Sequence, residues 1–306
     1  MTPLPFDYKL LQALDAVVRE QHFERAAKAL HLTQSAISQR IKQLEQLVAQ
    51  PLLIRTNPLR ATELGQQLLR HFRQVTQLER ELLPLLQAQA EEVPLGVSIA
   101  VNADSLATWL IPALSPLLAE HPIELNLIVD DETRTLEKLR QGEVFAAVSC
   151  QATTVPGCHC APLCSIEYVL VCSASFKQRY FAHGLTPESL KLAPGVAFDQ
   201  RDDMHVSYMQ KEFALEPGSY PCHTVRSSEA FIALAKAGVA YCLIPRLQIR
   251  VELDCGALIT LPAPSLYRHL YWHRWVLERG IYKRISDAVI RHCHHHLGHN
   301  NKNALE

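Results

Sequence analysis

Residues 23–55 carry the sequence FERAAKALHLTQSAISQRIKQLEQLVAQPLLIR, which has the pattern of two short helices joined by a tight turn. The apolar positions of the first helix follow the helical repeat and share one face: Phe23, Ala26, Ala27 and Leu30. His31 interrupts that pattern, and Thr33 is a favourable N-cap for a second helix. By the same spacing, the buried face of the second helix is predicted to hold Ile37, Ile41, Leu44 and Val48.

The outward face of the second helix is polar and lacks the mixture of Glu and Lys that usually covers a solvated helix. Its side chains are hydrogen-bonding groups and one cation: Gln34, Ser35, Ser38, Gln39 and Lys42. A helix of this kind, presented by a supporting helix, suits the major groove of DNA, where base edges are recognised by hydrogen bonds. The pattern indicates a helix-turn-helix, although similar helix pairs also occur in domains that never contact DNA.

The residues after the second helix favour the DNA-binding interpretation. Residues 51–55, the pair Asn57-Pro58 and Arg60 suggest a short β-wing that carries two arginines. Residues 1–62 hold eight Lys and Arg against five Asp and Glu, a local net charge of +3, whereas the whole chain carries −1. Positive charge is therefore concentrated where contacts to phosphate are needed.

We predict that eight residues contact DNA: Thr33, Gln34, Ser35, Ser38, Gln39, Lys42, Arg55 and Arg60. Among them, Gln34, Ser35 and Ser38 are expected to recognise bases, whereas Lys42 and the two arginines are expected to contact phosphates. For each serine, the alternative is a surface hydroxyl that only caps the helix or touches a phosphate.

Length and composition indicate a protein of two or three domains in a reducing compartment. The chain has 306 residues, of which 48% are hydrophobic and 20% charged, as in ordinary globular proteins. We find no signal-peptide pattern and no apolar run of the roughly 20 residues that a membrane span needs. Nine cysteines without a secretion signal suggest free thiols. We expect a cytoplasmic protein without a membrane partner or cofactor.

A long helix is predicted to follow the DNA-binding domain of residues 1–62, to which residues 7–20 contribute a third helix. Its apolar residues recur every three or four positions: Leu64, Leu68, Phe72, Val75, Leu78, Leu82 and Leu85. A single stripe on so long a helix is typical of a dimer seam, so residues 63–93 are predicted to link and dimerise the protein, with a kink at Pro84. The alternative is a helix packed on its own domain. A hinge is predicted at residues 91–96.

From residue 97 strands and helices alternate, which predicts an α/β domain with a parallel sheet. Strands are expected at residues 97–101, 123–129, 144–149, 168–172, 195–198, 222–225, 240–244 and 270–273, and helices at 105–118, 132–141 and 281–297. Two α/β lobes would enclose a ligand cleft beyond the carboxyl ends of their strands. Within residues 94–306, lobe I is predicted at about residues 94–164 plus 266–298, and lobe II at about 165–265.

The N-terminal motifs resemble those of the LysR-type transcriptional regulators. The matching positions are Phe23, Ala26-Ala27, Leu30, residues 33–38, Ile41, Leu44-Glu45, Pro51-Leu52 and Arg55. The resemblance implies an N-terminal all-α winged helix-turn-helix, a long linker helix and a two-lobed α/β sensor domain similar to periplasmic binding proteins. It also implies homodimers or dimers of dimers on double-stranded DNA, with RNA polymerase as a further partner. Ala49 stands where the family usually has glycine, which adds strain if this position has a positive φ, and Leu53 replaces a frequent phenylalanine.

The sensor half resembles one branch of that family, which responds to arginine and lysine and controls basic amino-acid export. The segments that carry this resemblance are residues 101–114, 130–144, 197–205, 227–231 and 270–274. The resemblance implies L-lysine or L-arginine as the effector and an exporter gene among the targets.

A basic amino acid needs hydroxyls and helix N-terminal N–H groups for its carboxylate, and carboxylates for its cationic groups. The predicted effector-binding residues are Asn102, Asp104, Ser105, Asp131, Ser149, Phe198, Asp202, Asp203, Ser227, Ser228 and Glu229. Several acids near strand ends, with no obvious arginine among them, favour a basic ligand. Serine and aspartate at helix starts are, however, often only N-caps.

A metal- or redox-sensing regulator of the same architecture is an alternative, because Cys158-His159-Cys160 lies near Cys164. Structural zinc sites usually space their cysteines by two to four residues, so we interpret these cysteines as unpaired loop thiols and predict no metal site. A His-rich tail is interpreted as a solvated segment that binds metal only adventitiously: His292, His294, His295, His296 and His299.

An enzyme is not predicted, because the chain lacks G-x-S-x-G, a phosphate-binding glycine loop and H-E-x-x-H. A sequence-tolerant architectural DNA-binding protein is a further alternative, and it predicts similar affinity for unrelated duplexes at fixed salt.

Overall fold

The computed structural model describes residues 7–54, 56–86, 94–131, 134–198 and 203–297. By its contacts the chain divides into two compact units. Unit 1 comprises Met1–Leu95 with Glu137–Phe145, and unit 2 comprises Gly96–Leu136 with Ala146–Glu306. In the described part of the chain, no helix combines the length and apolar character needed to cross a membrane.

Unit 1 contains the predicted helix-turn-helix. Its elements are α1 (Tyr8–Glu20), α2 (Phe23–Ala29), α3 (Gln34–Val48), β1 (Leu53–Ile54), β2 (Arg60–Ala61) and α4 (Glu63–Leu86). Thr33 caps α3 as predicted, since its Oγ1 accepts a hydrogen bond from the Ala36 N–H at 3.2 Å. The strands β1 and β2 pair antiparallel and form a small wing.

The apolar faces predicted for α2 and α3 lie in one core together with α1. Ile37, Ile41 and Leu44 of α3 are fully buried or nearly so, and Val48 packs against them. Leu11, Leu14 and Val17 of α1 complete this core. Because the apolar face of α3 is held inside, its polar face is directed outward.

The first half of α4 belongs to the same core. This part of the helix therefore packs on its own domain, as the alternative to a pure dimer seam predicted. Leu64, Leu68, Leu69 and Phe72 pack against the core residues of unit 1. Beyond them, Val75 and Leu78 are only partly buried. Residues 87–93, which include the first half of the predicted hinge at 91–96, lie outside the described residues, and Leu95 and Gly96 of that hinge begin a strand, Leu95–Val101. A dimer contact through the second half of α4 stays a prediction.

Ala49 has the left-handed conformation that would favour glycine. It is the C-cap of α3 with φ 54°, and its N–H bonds back to the carbonyls of the last turn. A Cβ in this region clashes with the following carbonyl and costs about 1 kcal/mol. The strain expected from the departure at this position is therefore present in the fold.

Ala49→Gly is expected to stabilise the end of α3 by about 1 kcal/mol, because glycine adopts positive φ without a steric penalty. Hydrogen–deuterium exchange of the peptide that spans α3 and β1 measures this locally, and roughly fivefold slower exchange is expected. Ala29→Gly is the matched control. Ala29 is an exposed residue of the right-handed helix α2, so glycine should destabilise there. Equal effects of the two substitutions would contradict the prediction.

From residue 95 the chain alternates strands and helices. The elements are β3 (Leu95–Val101), α5 (Ala103–Ser105), a π-helical turn (Leu106–Leu110), α6 (Ile111–Glu120), β4 (Ile123–Val129), α7 (Thr135–Arg140), β5 (Ala146–Ser149), β6 (Cys158–Cys172), α8 (Ala174–Tyr180), α9 (Pro187–Leu190), β7 (Gly195–Ala197), α10 (Asp203–Phe213), β8 (Cys222–Thr224), α11 (Ser228–Lys236), β9 (Tyr241–Pro245), a 3₁₀ helix (Arg246–Ile249), α12 (Arg250–Asp254), β10 (Ile259–Thr260), β11 (Leu266–Trp275) and α13 (Gly280–His296).

The sheet is mixed, so the expectation of a parallel sheet is correct only in part. The strand order is β4-β3-β5-β11-β6-β9-β7-β8, with β10 beside β6. The pairs β3–β5, β7–β8 and β7–β9 are parallel, whereas β11 is antiparallel to β5 and β6, and β6 is antiparallel to β9.

Two strands are much longer than predicted, β6 with 15 residues and β11 with 10. They pair with each other along most of their length, from Leu266↔Tyr168 to Trp275↔Cys158. Cysteine, histidine and Pro162 interrupt the apolar pattern of β6, which hid its first half from sequence analysis. Pairing with a long partner strand outweighs such local preferences. The predicted lobe boundary at residues 164/165 falls inside β6.

Candidate functional site

The predicted base-contacting residues form one exposed face of α3. Gln34, Ser35, Ser38, Gln39 and Lys42 are all exposed. Thr33 is already engaged as the N-cap, and its Oγ1 lies 3.0 Å from Ser35 Oγ. The face therefore offers two amides, two hydroxyls and one ammonium group, with Thr33 in a structural role at its start.

The wing is fixed to both neighbouring helices. Glu45 Oε1 on α3 accepts a hydrogen bond from the Leu52 N–H at 2.8 Å, and the Thr62 hydroxyl donates to the Pro51 carbonyl at 2.9 Å. Arg60 is exposed on β2, where a phosphate contact needs it. Arg55 lies outside the described residues, so its predicted DNA contact stays a prediction.

Gln34→Ala and Arg60→Gln are expected to weaken DNA binding in different ways. Loss of the Gln34 amide should cost about 1–3 kcal/mol at the preferred base and relax discrimination there. Loss of the Arg60 charge should weaken all duplexes alike and lower the salt slope by about 1. Fluorescence anisotropy with matched and base-substituted duplexes at several salt concentrations separates the two effects.

Gln43→Ala, an exposed amide of α3 beyond the predicted face, is the control and should bind like the wild type. An equal loss in Gln43→Ala and Gln34→Ala would contradict the assignment of this face. Similar wild-type affinity for unrelated duplexes would favour the architectural alternative.

Unit 2 contains a cleft of about 550 Å³, part of which is open to solvent. Its lining includes several of the predicted effector-binding residues: Asn102, Asp104, Asp131, Phe198 and Ser228. The other lining residues are Ala103, Asp130, Met204, Phe231, Leu243 and Arg268. The size is that of a typical small-molecule site.

Asp104 connects three parts of the fold at this cleft. Its Oδ2 accepts a hydrogen bond from the Tyr168 hydroxyl of β6 at 2.7 Å, and its Oδ1 lies 2.7 Å from the Ser228 hydroxyl of α11. The Ser228 hydroxyl also lies 2.7 Å from Gln248 Oε1 on the 3₁₀ helix. The position and orientation of this carboxylate are therefore fixed by distant segments of the chain.

Two further carboxylates, one guanidinium and one amide line the cleft. Asp130 accepts from the Asp131 N–H at 2.8 Å and forms an ion pair with Arg134 at 3.2 Å. Arg268 of β11 lines the same cleft, so the cleft contains an arginine that the pattern of acids near strand ends did not include. Asn102 is 6% exposed, and its Oδ1 has no hydrogen-bond partner among the described residues. A buried acceptor of this kind is suited to a ligand donor.

Six of the predicted residues are absent from the described lining of the cleft. Ser105 and Ser149 are buried, and Ser149 Oγ accepts from the Gln151 N–H. Ser227 is the N-cap of α11, where it accepts from the Ala230 N–H and donates to Glu229. Capping, the alternative considered for these residue types, thus accounts for Ser227 and Glu229. Asp202 lies outside the described residues, and Asp203 begins α10.

Three residues at this cleft were not predicted from the sequence: Arg268, Tyr168 and Gln248. Arg268 lies on β11 before the predicted start of that strand at residue 270. Tyr168 lies within the predicted strand of β6, but the sequence does not show with which segment that strand pairs. Gln248 is on a 3₁₀ helix that no periodicity indicated. The only local signal was the segment LYRHLYWHRW of β11, where polar and apolar residues partly alternate.

The cysteine cluster lies on a strand and not in a loop, which corrects the sequence-based interpretation. Cys158, Cys160 and Cys164 belong to β6, and all three are free thiols. Burial raises the pKa of the Cys160 thiol, which disfavours the thiolate needed for metal binding or redox chemistry. Across the residues that the structure describes, no group of three or more His, Cys, Asp and Glu could hold a metal ion.

Most of the His-rich segment is helical and not an irregular tail, and His294, His295 and His296 are exposed, as expected for a solvated segment. His292, His294, His295 and His296 belong to α13, and the rings of His292 and His296 lie 4.6 Å apart. His299 lies outside the described residues.

Comparison with known families gives two matches that together span most of the chain. The family described as "Bacterial regulatory helix-turn-helix protein, lysR family" matches residues 8–66, which contain the polar face of α3 and the wing. The family described as "LysR substrate binding domain" matches residues 95–277, which contain the cleft.

Individual proteins are similar over nearly the full length. The HTH-type transcriptional regulator ArgP of Aeromonas salmonicida is 62% identical over 285 residues, 93% of this chain and 95% of that protein. The crystal structure of ArgP from Mycobacterium tuberculosis has a TM-score of 0.82 at 35% identity, covering 94% of this chain and 97% of that one. LysG from Corynebacterium glutamicum, solved with bound effector Arg, has a TM-score of 0.76 at 30% identity, covering 94% and 98%.

Proposed function

The chain belongs to the LysR family of transcriptional regulators, and from this premise we propose that its sensor domain binds L-lysine or L-arginine. The predicted resemblance to one branch of this family is confirmed by relatives named ArgP, which are HTH-type transcriptional regulators and not enzymes. The bound arginine of LysG supports the same ligand class here.

The charge pattern of the cleft is the observation that carries this proposal. Among the described residues, three carboxylates, those of Asp104, Asp130 and Asp131, line it together with the guanidinium of Arg268, and Asp130 is also paired with Arg134. Lysine and arginine carry the complementary set of two cationic groups and one carboxylate. An acidic amino acid would place a second negative charge beside these carboxylates, which costs free energy in a partly closed site.

The lining also provides a place for each part of the ligand. The α-carboxylate pairs with Arg268, and the cationic groups pair with the aspartates and the Asn102 amide oxygen. The methylene chain packs against Phe198, Phe231 and Leu243.

Regulation follows if the effector binds two arrangements of the sensor with different affinity, because only that difference shifts the equilibrium. Dimers formed through α4 would transmit the change to the DNA-binding units. Assembly into dimers of dimers is expected from the resemblance to the family. We place the protein in the cytoplasm, where DNA is accessible, and an exporter gene for basic amino acids among its targets. RNA polymerase is the partner through which a DNA-bound regulator acts on transcription.

A thermal-shift series with the purified full-length protein tests the ligand class. L-lysine or L-arginine at a hundredfold excess over Kd should stabilise the protein by about 2.7 kcal/mol. L-glutamate and L-leucine should have no effect at the same concentration. A response to zinc alone would favour the metal-sensing alternative, and the absence of any response to basic amino acids would refute the proposed effector.

A gel-shift titration tests the target. DNA upstream of a basic amino-acid exporter gene should be retarded at protein concentrations that leave a scrambled duplex free, and lysine or arginine should change the pattern of complexes. Equal retardation of both duplexes would contradict the exporter assignment.

A further inference from the structure

Unit 2 has a second cavity, separate from the effector cleft. It encloses about 530 Å³, part of which is open to solvent. Its polar lining consists of Ser165 and Glu167 on β6, Arg246 and Arg250 near the 3₁₀ helix, and His296 at the end of α13. The lining residues of the two cavities have no member in common.

The second cavity contacts β6 at three consecutive residues, Ser165, Ile166 and Glu167, next to Tyr168. Successive side chains of a strand point to opposite faces, so Ser165 and Glu167 share one face, and Tyr168 occupies the other. Tyr168 bonds to Asp104 in the effector cleft, whereas Glu167 contacts Arg246 of the second cavity. The 3₁₀ helix links the two places, because it carries both Arg246 and Gln248.

The charge of the second cavity favours an anion. Glu167 is already neutralised, since its Oε2 accepts from Arg246 Nε at 2.8 Å and its Oε1 accepts from the Ser265 hydroxyl at 2.8 Å. Arg250 makes no ion pair with any residue in the described ranges, and it is exposed at the mouth beside His296. After the Arg246–Glu167 ion pair is set aside, the positive charge of Arg250 remains available for a ligand.

The floor of the cavity contains a polar group without a partner. Ser165 is 2% exposed, and its hydroxyl has no hydrogen bond to any of the described residues. Buried hydroxyls are nearly always hydrogen-bonded in folded proteins, because leaving one unpaired forfeits its solvation without compensation. Ser165 lines the cavity, so a ligand oxygen at its floor would satisfy this group.

We propose that this cavity is a second ligand site, for a small anion that carries a carboxylate or phosphate group. Arg250 neutralises the anion at the mouth, where the imidazole of His296 donates a hydrogen bond, and the Ser165 hydroxyl donates a hydrogen bond at the floor. Arg246 remains paired with Glu167 and shapes the wall. The site is independent of the basic amino acid proposed for the effector cleft, whose charge requirement is the reverse.

Isothermal titration of inorganic phosphate and of succinate into the full-length protein, at constant ionic strength, tests the proposal and separates the two kinds of anion. At least one of them should bind saturably with one site per chain. The affinity should fall at least tenfold in Arg250→Gln and in Ser165→Ala, because each removes a bond to a charged ligand.

Arg291→Gln is the matched control. Arg291 is an exposed arginine of α13 that does not line the cavity, so its loss changes the net charge equally and should leave the affinity unchanged. The result that overturns the proposal is the absence of saturable binding of either anion, or equal affinity in the wild type, Arg250→Gln and Ser165→Ala. Arg250 is exposed, so Arg250→Gln keeps the fold and decides the outcome even if Ser165→Ala unfolds.

Discussion

Asp104→Asn is expected to weaken binding of L-lysine and L-arginine by more than a hundredfold. Two hydroxyls, one on β6 and one on α11, hold the Asp104 carboxylate at 2.7 Å each. Its negative charge therefore has a fixed position in the cleft. Removing one partner of a partly buried ion pair costs about 3 kcal/mol or more, since the other charge stays behind without compensation. Isothermal titration of either amino acid into wild type and variant measures the ratio of Kd values.

Glu229→Gln is the matched control for this experiment, because it neutralises a carboxylate that sequence analysis also assigned to the effector. The structure places Glu229 in an exposed position at the start of α11, where it accepts from Ser227. Its neutralisation should change the affinity less than threefold. A large effect of Glu229→Gln, or a small effect of Asp104→Asn, would show that the effector binds elsewhere. A correct circular dichroism spectrum and unchanged DNA affinity would exclude misfolding of the variant.

Gly65→Ala is expected to destabilise unit 1 by about 3 kcal/mol and to abolish tight DNA binding. The Cβ of an alanine at this position would collide with the backbone carbonyl oxygen of Leu52 and crowd Ala61. The same carbonyl accepts from the Thr62 N–H, and the Thr62 hydroxyl accepts from the Gly65 N–H, so the backbone has little freedom to move away. Alanine gains about 1 kcal/mol in helix propensity, which is less than the cost of overpacking against backbone atoms. Chemical denaturation and DNA anisotropy measure the two losses.

Gly96→Ala is the matched control, since a Cβ there meets nothing within 4 Å. It should leave stability and DNA binding close to those of the wild type. Stabilisation by lysine should persist in Gly65→Ala, because the effector cleft belongs entirely to unit 2. A Gly65→Ala protein with normal DNA binding would show that the segment after α3 can shift, and the structural role given to this glycine would be wrong.

The helix-turn-helix could be predicted from sequence because its determinants are local. A period of 3.6 residues places Ile37, Ile41 and Leu44 on one face of α3 and Gln34 and Ser38 on another, whatever the rest of the chain does. The cap at Thr33 and the strain at Ala49 depend on residues within one helical turn. The structure accordingly agrees with the sequence at each of these positions.

Residues of the effector cleft could be predicted from sequence only where they directly follow a strand or begin a helix. Asn102 and Asp104 follow β3 directly, and a residue beyond the carboxyl end of a parallel strand is well placed for a ligand. The same reasoning also selected Ser227, which caps α11, and Glu229, which accepts a hydrogen bond from Ser227, and neither is among the described residues that line the cleft. Sequence alone does not separate a cap from a ligand contact, because both require the same residue types at the same place.

The sequence by itself therefore determined the DNA-binding helix, its outward polar face and the family, since short-range periodicity and contiguous motifs encode them. Only the tertiary structure decided that Arg268 and Tyr168 reach the effector cleft while Ser165 and Glu167 face a second cavity. The placement of Arg268 depends on the antiparallel register of β6 and β11, in which Arg268 lies opposite Ile166 and Leu266 lies opposite Tyr168. A shift of one residue would exchange the two faces, and the register is set by pairing between segments about a hundred residues apart, which no local pattern contains.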